Sequence, residues 1–167
     1  MKRVIGIDPG LAHTGYGIID VDGSRYLHHV HGVISTPGSD AIGERLVCIY
    51  NAVTELIRRY QPDEAGIESL YFSKNITSAI PVAQSRGIVI LAFAQAGIVA
   101  SEYPPQAIKQ AIVGTGRAEK RQVQELVRVL LQLDEIPRPD HAADALAAAI
   151  CHANTGNVVS LLKGSHS

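Results

Sequence analysis

This chain of 167 residues lacks long apolar runs. The apolar stretch that follows Met1, Lys2 and Arg3 breaks at Asp8 after four residues, too short for an export signal. The most apolar later stretch, residues 87–94, is eight residues long and ends at Gln95, far short of a membrane span. Both shortfalls predict a cytoplasmic protein without a membrane helix. Cysteine is scarce as well. Cys48 and Cys151 are the two present, and neither has the spacing of a CxxC pair or a Cys/His finger. Each sits in a helix-like apolar pattern, which predicts two buried free thiols. Charge of one sign is also missing. Fifteen Lys and Arg stand against sixteen Asp and Glu, for a net charge of -1. A chain that coats nucleic acid indiscriminately needs an excess of cations to neutralise phosphates, so that class is excluded.

What is present suffices for one core. A hydrophobic content of 46% in a chain of this length predicts one compact domain over residues 1–154. The polar, glycine-containing end, residues 155–167, reads as a flexible tail. Charge is distributed unevenly. Between Tyr103 and Arg128, the basic Lys109, Arg117, Lys120, Arg121 and Arg128 outnumber Glu119 and Glu125 by five to two. Such a run forms either a solvated helix face or a modest patch for phosphates.

Residues 4–8 and 15–20 are short apolar runs around a turn-rich segment, the pattern of a hairpin, and residues 25–34 add a third strand. His28, His29 and His31 fall on the surface of that strand. From 39 to 60, Ile42, Leu46, Ile49, Val53, Leu56 and Ile57 follow a three-and-four spacing that predicts an amphipathic helix stopped by Pro62. A strand over 65–68, a long apolar helix over 75–97, a strand over 99–103 and shorter helices after Pro104 and Pro105 complete the order. The fold class is therefore α/β: a mixed five-stranded sheet, three antiparallel strands first and parallel crossovers after, flanked by helices.

In such sheets, sites gather at strand ends and at switches of chain direction. Asp8 and Glu68 both end strands, and Pro9-Gly10 turns the backbone sharply after Asp8. A third cluster opens an alanine-rich helix behind Pro137 and Pro139, with Asp140 as its expected N-cap. His141 and Asp144, three residues apart on one face of that helix, can reach the same ion.

The segments GIDPGLAHTGYG at 6–17, the strand ending in Glu68, YFSKN at 71–75, GTGRAEK at 114–120 and HAADAL at 141–146 occur in an order that closely resembles the RuvC family of Holliday-junction resolvases. The likeness runs from about residue 3 to 153. It implies a ribonuclease H-like fold, a homodimer, cleavage of four-way DNA junctions in recombination and repair, and partnership with the RuvA-RuvB branch-migration complex. The catalytic and metal-ligating positions it implies are Asp8, Glu68, His141 and Asp144. Members carry either aspartate or histidine where His141 stands, so this site would join three carboxylates to one imidazole.

Phosphodiester hydrolysis needs a hydroxide-like nucleophile and relief of charge on phosphoryl and leaving oxygens, which two divalent cations supply together. Hard carboxylate oxygens suit Mg2+, two per site, with Mn2+ able to substitute. Asp8 would bridge the ions, Glu68 and Asp144 would complete opposite sides, and His141 would bind or orient one of them. By the same resemblance Tyr71 and Phe72 lie near the active site, where an aromatic ring could stack on or wedge between bases. Lys74, Arg86, Lys109, Arg117 and Lys120 are candidates for phosphate contacts. Two other readings compete. An Ile-Asp followed by a glycine-rich hairpin also resembles the phosphate loop of actin-like kinases and ATPases, but those need two such domains to close over a nucleotide. A non-catalytic junction-binding module would leave the four metal-type positions without a purpose.

Overall fold

The computed structural model describes residues 1–69 and 76–164, the side chains of the last eight of these excepted. Tyr71, Phe72 and Lys74 therefore lie outside the described residues. Strands β1 (Lys2–Asp8), β2 (His13–Asp22) and β3 (Arg25–Ser35) form an antiparallel meander. Helix α1 (Ile42–Tyr60) leads to β4 (Glu64–Glu68), helix α2 (Ile76–Gln95) leads to β5 (Val99–Tyr103), and both strands run parallel to β1. Helices α3 (Pro105–Val113), α4 (Lys120–Leu130) and α5 (Asp140–Gly164) follow. The sheet order is β3-β2-β1-β4-β5, the mixed five-stranded arrangement expected from the strand and helix pattern.

Alternation along the strands sends side chains to two cores. Ile5, Ile7, Ile18 and Ile67 pack with Ile49 and Val53 of α1 and Val89 and Phe93 of α2. Val4 and Ile19 face the other way, against Leu146 and Ile150 of α5 and Val123 and Val127 of α4. The even positions of β1 and β4 share the α5 side, so Asp8 and Glu68 emerge beneath that helix. Midway along α5, His152 is buried and bonds Glu64 Oε2 through Nε2 at 2.9 Å and the Tyr103 hydroxyl through Nδ1 at 2.9 Å. Glu64 in turn accepts Lys2 Nζ at 2.7 Å.

Several details differ from the sequence expectations. Helix α1 starts at Ile42 because residues 37–40 are held in a turn, with the Asp40 N–H bonded to the Pro37 carbonyl. Cys48 is exposed rather than buried: the sheet-facing side of α1 is carried by Ile49 and Val53, and Cys48 lies about 100° around the helix from Ile49. Cys151 is a buried free thiol as expected. Asp140 is the first residue of α5 rather than its N-cap, and Pro139 offers the carbonyl that receives the first helical N–H, from Ala142. Helix α5 continues to Gly164, beyond the domain boundary read at residue 154. Helix α2 is apolar over more than the eight residues first counted, because Pro81, Gln84 and Arg86 interrupt the run without ending the helix. An 18-residue window of this 20-residue helix reaches a mean hydropathy of 1.5 and by length and composition the helix could cross a membrane, yet Val89 and Phe93 are fully buried in the sheet core.

The approach of α5 to the sheet is set by glycine. A β-carbon at Gly6 would lie 1.9 Å from the Ala145 carbonyl oxygen, and one at Gly15 would lie 1.9 Å from the His141 carbonyl oxygen. Backbone atoms cannot swing aside as a flexible side chain would. Gly6→Ala should therefore lift α5 and destabilise the fold by about 3 kcal/mol, the upper end of ordinary overpacking. Urea unfolding measures this; an unchanged midpoint would mean that α5 does not rest on β1 at this distance.

Candidate active site

Three pieces of backbone converge at the carboxyl ends of β1 and β4. The parallel pairing of these strands brings Asp8 beside Glu68, and β1 also marks the switch from antiparallel to parallel neighbours. The first turns of α5 bring His141 and Asp144 over them. His141 Nδ1 lies 2.8 Å from Asp8 Oδ2. Asp8, His141 and Asp144 offer ligand atoms that all lie within 4.8 Å of one another. Glu68 stands outside that triangle, close enough to Asp8 and Asp144 that their charges raise its pKa, and lines the same recess as Asp144. Thus all four positions implied by the resemblance meet in one site.

The electrostatics explain what such a site requires. Burial and the neighbouring Asp144 raise Asp8 to about 7. Burial, then Asp8 and Asp144, raise Glu68 to about 8. Asp144 is also raised by burial, against the pull of Lys120. Carboxylates held together out of water repel one another, and a cation among them relieves both causes at once. The donor set of three carboxylates and an imidazole fits a divalent ion on this ground.

Lys120, at the start of α4, is the resident countercharge. Its Nζ lies 3.2 Å from Asp144 Oδ2 and 3.3 Å from Asp140 Oδ2. Partial burial lowers its pKa, but the two aspartates outweigh that and leave it raised. The expected phosphate contact at Lys120 is thus already engaged with the acid cluster. Asp140 is also held by Gln124 Nε2 at 3.1 Å, which gives it a structural partner. Lys109 lines a recess with Glu68, Ile108, Lys120, Val123 and Asp144, so it faces the same opening. Arg117 is exposed on the loop before α4. Arg86 makes a two-pronged ion pair with Glu102, its Nη2 2.6 Å from Oε2, and is spoken for.

The residue that sequence reading passed over is His13. Its ring centroid lies 5.7 Å from that of His141 at an interplanar angle of 31°, and its Nδ1 lies 3.1 Å from Ser35 Oγ. It opens β2, and strand alternation from Gly15, whose face meets His141, was the signal that could have found it.

A family model described as "Crossover junction endodeoxyribonuclease RuvC" matches residues 4–152. The chain belongs to the RuvC family. Among curated relatives, the Crossover junction endodeoxyribonuclease RuvC of Treponema denticola is 58% identical over 155 residues, covering 93% of this chain and 87% of the relative. That of Chloroflexus aggregans is 50% identical over 153 residues, covering 92% and 93%. Thermus thermophilus RuvC, solved in complex with a Holliday junction substrate, is 34% identical with a TM-score of 0.91, covering 95% of this chain and 96% of that one. The ribonuclease H-like α/β fold expected from the resemblance is thereby established for this RuvC member.

Raised carboxyl pKa values carry a stability consequence. Because the folded protein holds these protons more tightly than the unfolded chain, the neutral forms contribute stability that is full below about pH 4 and lost as pH rises through about 7 to 8. In chelator-treated protein, Asp8→Asn should therefore be more stable than the parent at pH 8.5, by on the order of 4 kcal/mol at most, and the gap should narrow as pH falls and close near pH 4. Thermal melts of both proteins across that range check it. A gap independent of pH would remove the repulsion argument.

Proposed function

We propose that this protein is a structure-selective endonuclease that resolves four-way (Holliday) junctions by paired nicks, acting in homologous recombination and DNA repair. The observation that carries this reading is the convergence of Asp8, Glu68, His141 and Asp144 on one end of a sheet whose 34%-identical relative was solved with a Holliday junction. Hydrolysis joins a water oxygen to phosphorus and breaks the bond to the 3′ oxygen, which takes up a proton and leaves ends a ligase can rejoin. Two divalent cations, Mg2+ with Mn2+ able to substitute, would supply the charge relief this step needs. Asp8 would bridge them, Glu68 and Asp144 would flank them, and His141 would ligate one. His141 and Asp8 fix each other's orientation through their 2.8 Å contact. Lys120 balances Asp144 and keeps the cluster from over-binding protons. Lys109, Arg117 and Lys74 would take phosphates, and Tyr71 or Phe72 would meet bases at the branch.

Exposed apolar side chains support a homodimer. Ile42 and Val47 on α1 and Ile76, Ile80 and Leu91 on α2 lie open on the two helices of one face. Burying them against a second copy would give two active sites related by the two-fold symmetry of the junction. Delivery by the RuvA-RuvB complex and a cytoplasmic location complete the proposal.

Asp8→Asn should bind a synthetic immobile junction with near-parental affinity and fail to nick it, while the parent nicks symmetric strands in the presence of Mg2+ and spares a linear duplex of the same sequence. Gel mapping with ligation of the products checks this. Nicks on one strand only, or an Asp8→Asn protein that cuts near the parental rate, would contradict it.

Imidazole holds softer transition ions more comfortably than hard Mg2+. His141→Asp should therefore remain active and shift its preference from Mn2+ toward Mg2+, whereas His141→Ala loses most activity in either metal. Full activity of the alanine variant in both metals would take His141 out of the site.

A further inference from the structure

Strand β2 presents His13, Gly15 and Gly17 in a row on the face that meets α5. A β-carbon at Gly15 or Gly17 would strike His141 or Leu146, so the helix occupies that part of the row. His13 comes one step beyond, at the N-terminal end of α5, and its ring is exposed. Its mounting is fixed. The buried Thr14 hydroxyl bonds the Gly10 carbonyl at 2.6 Å, and the Thr36 N–H bonds the Ala12 carbonyl at 3.0 Å. Across the β2–β3 pair, Ser35 lies opposite His13 with its Oγ 3.1 Å from Nδ1. If Ser35 donates that bond, the ring proton sits on Nε2, which has no protein partner among the described residues. The cluster thus has a cation, Lys120, on its α4 side and an exposed imidazole on its β2 side.

Successive phosphates along one strand of a duplex rise about 3.4 Å along the axis and, because the backbone winds around it, lie roughly twice that far apart through space. A donor whose ring centre is 5.7 Å from that of His141 is placed to meet the phosphate next to the one being cut. We propose that His13 donates through Nε2 to a non-bridging oxygen of that neighbouring phosphate and so sets the register of the scissile strand over Asp8 and His141. This rests on the nuclease reading above. Ser35 acts as a positioning residue that selects the tautomer of His13.

The test pairs protein and DNA changes. Single methylphosphonates, which remove one phosphate charge and acceptor, are placed in turn at the nucleotides flanking the cut. His13→Ala should lower single-turnover nicking about tenfold, equivalent to about 1.4 kcal/mol. Metal-free junction affinity and the midpoint of the metal titration should stay within about twofold of the parent, because one contact among many is lost and no cation ligand is touched. One methylphosphonate position should cost the parent the same factor and cost His13→Ala nothing further. His13→Gln, whose amide N–H reaches the Nε2 position, should recover much of the loss, and His13→Asn, which reaches only Nδ1, should not. Losses that multiply at every position, a shifted metal midpoint or undiminished nicking by His13→Ala would each overturn the proposal. A parent that leaves all-phosphate junctions uncut in the same gel would overturn the nuclease reading instead.

Discussion

Where α5 crosses β1 and β2, a helix carbonyl and a strand α-carbon meet with no side chain between them. That contact sets the height at which the first turns of α5 ride over the sheet, and so the distance from His141 to Asp8. A spacer as small as a methyl group at Gly6 or Gly15 would open a site whose ligand atoms must fall within a few ångströms of one another. The run of buried alanines in α5, from Ala142 to Ala149, serves the same end, since small side chains let the helix sit low while Leu146 and Ile150 fill the core beside it. Packing and chemistry share one geometric requirement here.

Low seating has an electrostatic consequence. It takes the carboxyl groups of Asp8, Glu68 and Asp144 partly out of water and close to one another, which raises all three. On the neighbouring strand β2, Asp20 is also buried but is held by Arg3 and His29 and falls to about 2. One sheet thus shows opposite outcomes of burial: a paired aspartate that stabilises the fold, and an under-neutralised cluster that holds affinity for cations in reserve. Lys120 supplies part of the missing charge without closing the cluster.

The strand ends were legible because alternation and turn residues are local: Asp8 and Glu68 could be placed at the tips of strands, and His141 and Asp144 on one helix face, from spacing alone. The mixed sheet, antiparallel strands first and parallel crossovers after, followed from the sequence of strands and helices, since short connections and parallel crossovers leave few arrangements. What spacing could not show was contact between distant segments. The glycines at 6 and 15 read as strand or motif residues until α5 lay on them. His13 became part of the site through a helix 128 residues away in sequence from it. Lys120 and Lys109 both read as cations of a basic run, and only the fold separates one bonded to Asp144 from one lining the recess. Cys48 failed for a different reason, because a broad apolar stripe does not say which of two adjacent positions turns inward.

Helix α5 is pinned at two points. At its start the backbone is pressed against glycine, and some way along its roughly 37 Å length His152 is tied to β4 and β5 through Glu64 and Tyr103. A beam fastened at two supports cannot hinge between them, so His141 and Asp144 keep their height over β1. The deformation must come from the DNA. A linear duplex resists local bending with a persistence length of about 150 base pairs, whereas a branch point lets strands change direction without bending a helix. Stiffness in the protein thereby becomes a means of choosing between DNA shapes, by the elastic work each must do to lay a phosphate within reach of fixed ligands.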